Sequence, residues 1–268
     1  MAYSLASNQQ KRPRLKSEMS ASFLSKQESI VMSQFIPSLV FLFFSLSVSG
    51  QADVNYFERG NAKAKKGDFS AAIEDYNAAI EINPLNPNAY YNRGIAERNL
   101  RQFESALNDF DRVVSLGVNA SIVYFNRGYV KQELQKYKGA IEDYNSAITN
   151  NPNDEQIYLN RGLSKSKLGN HHGAIADYTE AIRLRPSYGK ALHNRAFTKR
   201  RVGDIEGAVE DYSKAIELNP SYASALHNRG LIKIGTGELA SGCDDLRKAM
   251  DLGLHMAEKD FNENCTGK

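Results

Sequence analysis

The chain has 268 residues, 24% of them charged, with 34 basic against 31 acidic side chains, two Cys and no Trp. The excess lies in residues 1–50, where Lys11, Arg12, Arg14, Lys16 and Lys26 face only Glu18 and Glu28, so the rest of the chain is balanced. A balanced body argues against binding nucleic acid, which draws on a net basic surface. Two cysteines without zinc-type spacing argue against both a disulfide scaffold and a Cys/His metal site.

Residues 1–31 are polar and rich in Ser and Lys, and Phe35 to Val48 is then almost wholly apolar before Ser49-Gly50-Gln51. A basic leader, a short apolar run and a small-residue exit are the marks of a secretory signal, with cleavage after Gly50. The run is shorter than the roughly 20 residues of a spanning helix and contains Pro37 near its start. Export to a periplasmic or extracellular space is the expectation, and an uncleaved anchor is the alternative. Met1, Met19 and Met32 are all candidate starts. The basic cluster Lys11-Arg12-Pro13-Arg14 is a weak nuclear signal beside so apolar a neighbour.

From residue 51 the chain repeats itself every 34 positions. Asn-Arg-Gly stands at Asn92, Asn126, Asn160 and Asn228, with Asn-Arg-Ala at Asn194. Ala72, Ala106, Ala140, Ala174 and Ala208 are each followed four residues later by an aromatic: Tyr76, Phe110, Tyr144, Tyr178 and Tyr212. Pro84, Pro152, Pro186 and Pro220 close four of the units. A period of this length denotes stacked units sharing one continuous core. Within the copy from Glu155, Tyr158, Gly162 and the Lys165 stem follow helical spacing, Gly169-Asn170 breaks the helix, and Ala174, Ile175, Tyr178, Ala181 and Ile182 form a second helical stripe ended by Pro186.

These marks resemble the tetratricopeptide repeat family, over about Asp53 to Gly253. The resemblance implies an all-α, right-handed superhelical solenoid of six helix-turn-helix units, near 53–86, 87–120, 121–154, 155–188, 189–222 and 223–253. Residues 254–268 then form a capping helix and tail. Unit two departs at Arg101 and Val118, where the central Gly and closing Pro are missing. Unit six has Gly242 and Leu246 in place of Ala and Tyr, and Leu192 and Leu226 replace the large aromatic of the first helix.

Six arginines (Arg59, Arg93, Arg127, Arg161, Arg195, Arg229) recur in the first helices and six aspartates (Asp75, Asp109, Asp143, Asp177, Asp211, Asp245) in the second. Their matched numbers point to ion pairs between helices rather than to an anion-binding row.

In the family the first helices line a concave groove that binds peptides. On that face the sequence places Asn92, Asn126, Asn160, Asn194 and Asn228 at one-repeat intervals, with Tyr91, Phe125, Tyr129, Leu159, His193, Phe197 and His227 alongside. A carboxamide offers donors and an acceptor, so such a row could hold a peptide backbone whatever its side chains; the alternative is pairing within the scaffold. A clamp for a partner's C-terminal carboxylate is not supported, because Phe57, Ile122 and Asn126 stand where its cations belong.

No nucleophile–base signature, phosphate loop or metal-ligand spacing is present, so no catalytic residue, metal or cofactor is expected. His193 and His227 lie a full repeat apart, and the adjacent His171 and His172 point different ways on a helix start. Cys243 and Cys265 are equally distant from residue 254. An antiparallel turn at Gly253 would bring them side by side, and export would favour their bonding. The expected partner is a protein or peptide, not nucleic acid, with membrane contact only if the segment 35–48 stays uncleaved. An adaptor or scaffold follows; the alternative is a tethered assembly factor or regulatory subunit of a larger complex.

Overall fold

The computed structural model describes residues 54–266; the signal expected in residues 1–50 lies outside them. Among the described residues there are thirteen helices and no strand. They form six pairs: α1 (54–65) with α2 (Phe69–Ile82), α3 (Pro87–Asn99) with α4 (Phe103–Ser115), α5 (Ser121–Glu133) with α6 (Tyr137–Asn150), α7 (Glu155–Lys167) with α8 (His171–Leu184), α9 (Gly189–Arg201) with α10 (Ile205–Leu218), and α11 (Ala223–Gly235) with α12 (Leu239–Asp251). A last helix, α13 (His255–Cys265), follows.

Each turn inside a pair uses a residue of positive φ, and in three of the six pairs the next side chain caps the second helix. Gly67, Gly169, Gly203 and Gly237 take this conformation at φ 79–93°. Asp68, Asn170 and Asp204 then accept from backbone N–H groups three residues on, capping the new helix. Arg101 and Gln135 occupy the same register at φ 60° and 57°, although neither is Gly.

The core is segmental, as a stack of pairs requires. Ala72, Ala106, Ala140, Ala174 and Ala208 are fully buried, and the aromatic four residues on is buried with each. The first-helix glycines make room for those rings. A Cβ on Gly162 would stand 2.7 Å from a Tyr178 ring carbon, and one on Gly128 2.9 Å from Tyr144. The sixth pair keeps this plan with smaller parts. Leu246 is buried in place of an aromatic, and a Cβ on Gly242 would come within 2.8 Å of the Gly230 carbonyl oxygen.

All six arginines grip their aspartates through two parallel bonds, as in Arg161 Nε and Nη2 to Asp177 at 3.0 and 2.6 Å. From the second repeat on, the remaining guanidinium nitrogen reaches the preceding repeat: Arg93 donates to Asn77, Arg127 to Asp111, Arg161 to Asn145, Arg195 to Thr179 and Arg229 to Ser213, at 2.7–3.0 Å. One side chain thus ties two repeats. A lysine four residues after the arginine adds a second cation: Lys63, Lys131, Lys165, Lys199 and Lys233 lie 2.8–3.1 Å from the same aspartates. The second repeat has Glu97 there instead.

Successive first helices touch one another (α3 with α5, α5 with α7, α7 with α9), whereas successive second helices make no comparable contact. The array therefore curves with its first helices inside. At its end α13 packs on α12 and α11, joined by a Cys243–Cys265 disulfide with Cα atoms 5.7 Å apart. No helix among the described residues is long and apolar enough to cross a membrane.

Candidate functional site: the inner face

The residues expected on the inner face divide by what the scaffold does with them. Position five of the first helix turns partly inward onto its own repeat. Tyr91 packs on Phe110 at 5.9 Å between ring centroids, Phe125 on Tyr144 at 6.2 Å, and His193 on Tyr212 at 5.4 Å. Leu159, 6% exposed, belongs to the Tyr178 cluster. His193 is also stacked on Tyr222 at 5.2 Å, and burial lowers its pKa, so it is neutral near pH 7.

The asparagine row does not behave as a row. Asn92 donates to Asn61 at 2.7 Å, and the same Asn61 oxygen accepts from the Tyr76 hydroxyl. Asn126 is only 3% exposed. It donates to the Tyr91 hydroxyl and the Ile122 carbonyl, and it accepts from Arg98, so its carboxamide is fully engaged by the scaffold. Asn228 donates to Ser224 and lies 3.4 Å from the His193 ring. Asn160 gives one hydrogen to Gln156 in its own helix. Asn194 sits on the open face beside Phe197.

His227, expected in the groove, is 6% exposed and covered by α13, whose Asp260 lies 2.6 Å from its Nε2. The register alone could not reveal this, because α13 lies against His227 where the other repeats have the next first helix.

Among the described residues, two depressions on the inner face are larger than the 170 Å³ hollow beside Asn61, Asn92 and Ile95. The first, about 380 Å³, spans α3, α5 and α7, and is lined by Arg98, Arg101, Phe125, Tyr129, Gln156 and Asn160 among others. Arg98 lies over the Tyr129 ring there, at 5.6 Å. The second, about 340 Å³, lies between α7 and α9 with Leu163, Tyr178, Asn194, Phe197, Lys167 and Arg201 in its wall. Phe197 is 38% exposed. Among the described residues no group of three or more His, Cys, Asp or Glu gathers as a metal would require. Lys165 stood out in the sequence only for its stem; the pairing of the position-eleven lysines with the ladder aspartates, and Glu97 in their place, did not, although the 34-residue register aligns them as well as it aligns the arginines.

Comparison with known proteins places this arrangement. No curated protein matches the sequence. Among solved structures, YrrB, a TPR protein with an unusual peptide-binding site, superposes with a TM-score of 0.61 at 22% identity, covering 65% of this chain and 90% of that one. A MamA fragment from Desulfovibrio magneticus gives 0.62 at 23% identity, covering 64% and 97%. The Cut9–Hcn1 assembly of APC/C gives 0.62 at 13% identity, covering 80% and 43%. At these identities the likeness is one of fold. Family models described as TPR repeat match residues 60–100, 132–169 and 199–237, and one described as tetratricopeptide repeat matches 155–188. Together these span just over half of the sequence, and the chain belongs to the tetratricopeptide repeat family.

Proposed function

We propose that the protein is an interaction scaffold whose inner face holds an extended peptide or a segment of a partner protein. The observation that carries this reading is the pair of open depressions bordered by Phe125, Tyr129 and Asn160 and by Asn194 and Phe197. The scaffold engages some of these groups too, as with Phe125 on Tyr144 and Asn160 on Gln156, yet they keep part of their surface open as a mixed apolar and carboxamide lining. Such a surface suits a peptide, whose backbone needs donors and acceptors and whose side chains need apolar contact. A hydrogen bond of this kind contributes about 0.5–1.5 kcal/mol net, so several in register are required. The peptide-binding site of YrrB is consistent with this use of the fold.

The Cys243–Cys265 bond fits an oxidising compartment, and with the apolar run of residues 35–48 it supports export. Binding is tested by panning a displayed peptide library on the full chain and on the Asn160→Ala/Phe197→Ala double variant. The reading requires peptides that the parent enriches and the double variant does not, with unchanged melting. A Glu142→Ala substitution on the outer helix α6 serves as control. Enrichment indifferent to the inner-face changes would refute it.

A further inference from the structure

The balanced charge of the repeat region conceals a segregation that only the fold makes visible. The six first helices carry seventeen basic and four acidic side chains, and the six second helices carry six basic and seventeen acidic. First helices lie inside the curve and second helices outside, so the inner layer of helices is rich in cations and the outer layer rich in acids, although the ladder Arg and Lys of the inner layer turn toward the second helices. The ladder aspartates do not cancel this. In five repeats an Arg and a Lys share one Asp, so each Arg–Lys–Asp cluster taken alone carries one positive charge, which Asp111 offsets at Arg127.

The segregation is sharpest at α9, which holds Lys190, Arg195, Lys199, Arg200 and Arg201 and no acid. Arg195 and Lys199 are held by Asp211. Arg201, together with Lys167 of α7, enters no ion pair among the described residues and borders the 340 Å³ depression, whose lining includes Leu163, Tyr178 and Phe197 and no carboxylate. Cations in a last helical turn also offset the helix dipole. The dipole does not dictate them, however, because Glu133 and Gly235 end α5 and α11 at the same register.

We infer that the depression between α7 and α9 receives an acidic peptide segment, with a carboxylate between Lys167 and Arg201 and an adjacent apolar side chain on Leu163 and Phe197. This deepens the groove reading and rests on it. The two cations stand at the ends of their helices, away from the positions of the carboxylate clamp that the sequence lacks. An acidic occupant is favoured by charge complementarity. The chain's own residues 1–50 do not supply it, since they carry five basic and two acidic side chains.

The test uses fluorescence anisotropy of the full chain with labelled dodecapeptides alternating Glu with Leu, Gln with Leu, or Lys with Leu, and with a twelve-nucleotide oligothymidine. The Glu/Leu peptide should bind at least about tenfold tighter than the Gln/Leu peptide, and the advantage should shrink with salt. Lys167→Gln/Arg201→Gln should remove that advantage, while Lys214→Gln on the outer helix α10 leaves it intact. Equal binding of the Glu/Leu and Gln/Leu peptides, lost on Phe197→Ala, would overturn the acidic preference and leave the groove reading standing. Binding of no peptide at all would sink both. Oligothymidine bound as tightly as the Glu/Leu peptide, with the same dependence on Lys167 and Arg201, would overturn the peptide assignment in favour of a general polyanion surface.

Discussion

Glu97 lies against Asp109 at the one position where the other five repeats place a lysine on the ladder aspartate. It is 8% exposed and its Oε2 has no hydrogen-bond partner. Burial, then the charge of Asp109, raises its pKa from 4.5 to about 7, with Arg93 opposing. Because the folded pKa exceeds the unfolded one, the folded state binds more protons between these values, and stability falls as pH rises through that window. The full effect is about 3 kcal/mol, complete above pH ~7. His193 works the other way, since its lowered pKa loses stability as pH falls below the usual histidine range. The measurement is therefore a difference. Urea denaturation of Glu97→Gln against the parent should show little gain at pH 5 and a clear gain at pH 7.5. Glu97→Lys, which restores the lysine–aspartate contact, should gain at least as much. A pH-independent difference would show that Glu97 is ionised throughout.

The unit length, the paired helices, the arginine–aspartate ladder and the approach of Cys243 to Cys265 were legible because each depends on register alone. What was not legible depends on what lies next door. Asn126 reads like every other Asn of its row, but only in the second and third repeats do Arg98 and Tyr91 close around it. His227 reads like His193, yet the cap covers it. The polarity of the array was invisible in a sum of charges, since it needs the knowledge of which helix faces inward.

Gly162 tests the close approach of first and second helices. Its missing Cβ would meet the Tyr178 ring at 2.7 Å, whereas the fifth repeat accommodates a real Cβ at Ala196 against Tyr212. Gly162→Leu should cost about 1–3 kcal/mol through overpacking. Gly162→Ala should cost less, because the fifth repeat shows that the ring has somewhere to go. Denaturant midpoints decide, and an equal loss for both variants would contradict this packing account.

Gln135 holds the left-handed turn between α5 and α6 at φ 57°, a conformation four other repeats give to Gly. A side chain there costs roughly 1–2 kcal/mol, part of which glycine returns to the freer unfolded chain. Gln135→Gly should therefore stabilise by about 0.5–1 kcal/mol. Gln135→Val, whose branched side chain fits this region worst, should destabilise. Thermal melts of the two variants should move in opposite directions.

The cap tests whether the last repeat depends on its cross-link. The Cys243–Cys265 bond closes a loop of sequence separation 22 between α12 and α13, and α13 seals Leu226 and Ala249 through the buried Ala257. In the chain-entropy account a loop of this size is worth about 3 kcal/mol. Because each repeat contacts only its neighbours, that loss should stay local. In Cys243→Ser/Cys265→Ser, amide exchange should rise first in α13 and α12, and then in α11, where His227 loses its cover. The second to fourth repeats should keep their protection. Loss spread evenly along the array would mean that it unfolds as one cooperative block, and the nearest-neighbour description would fail.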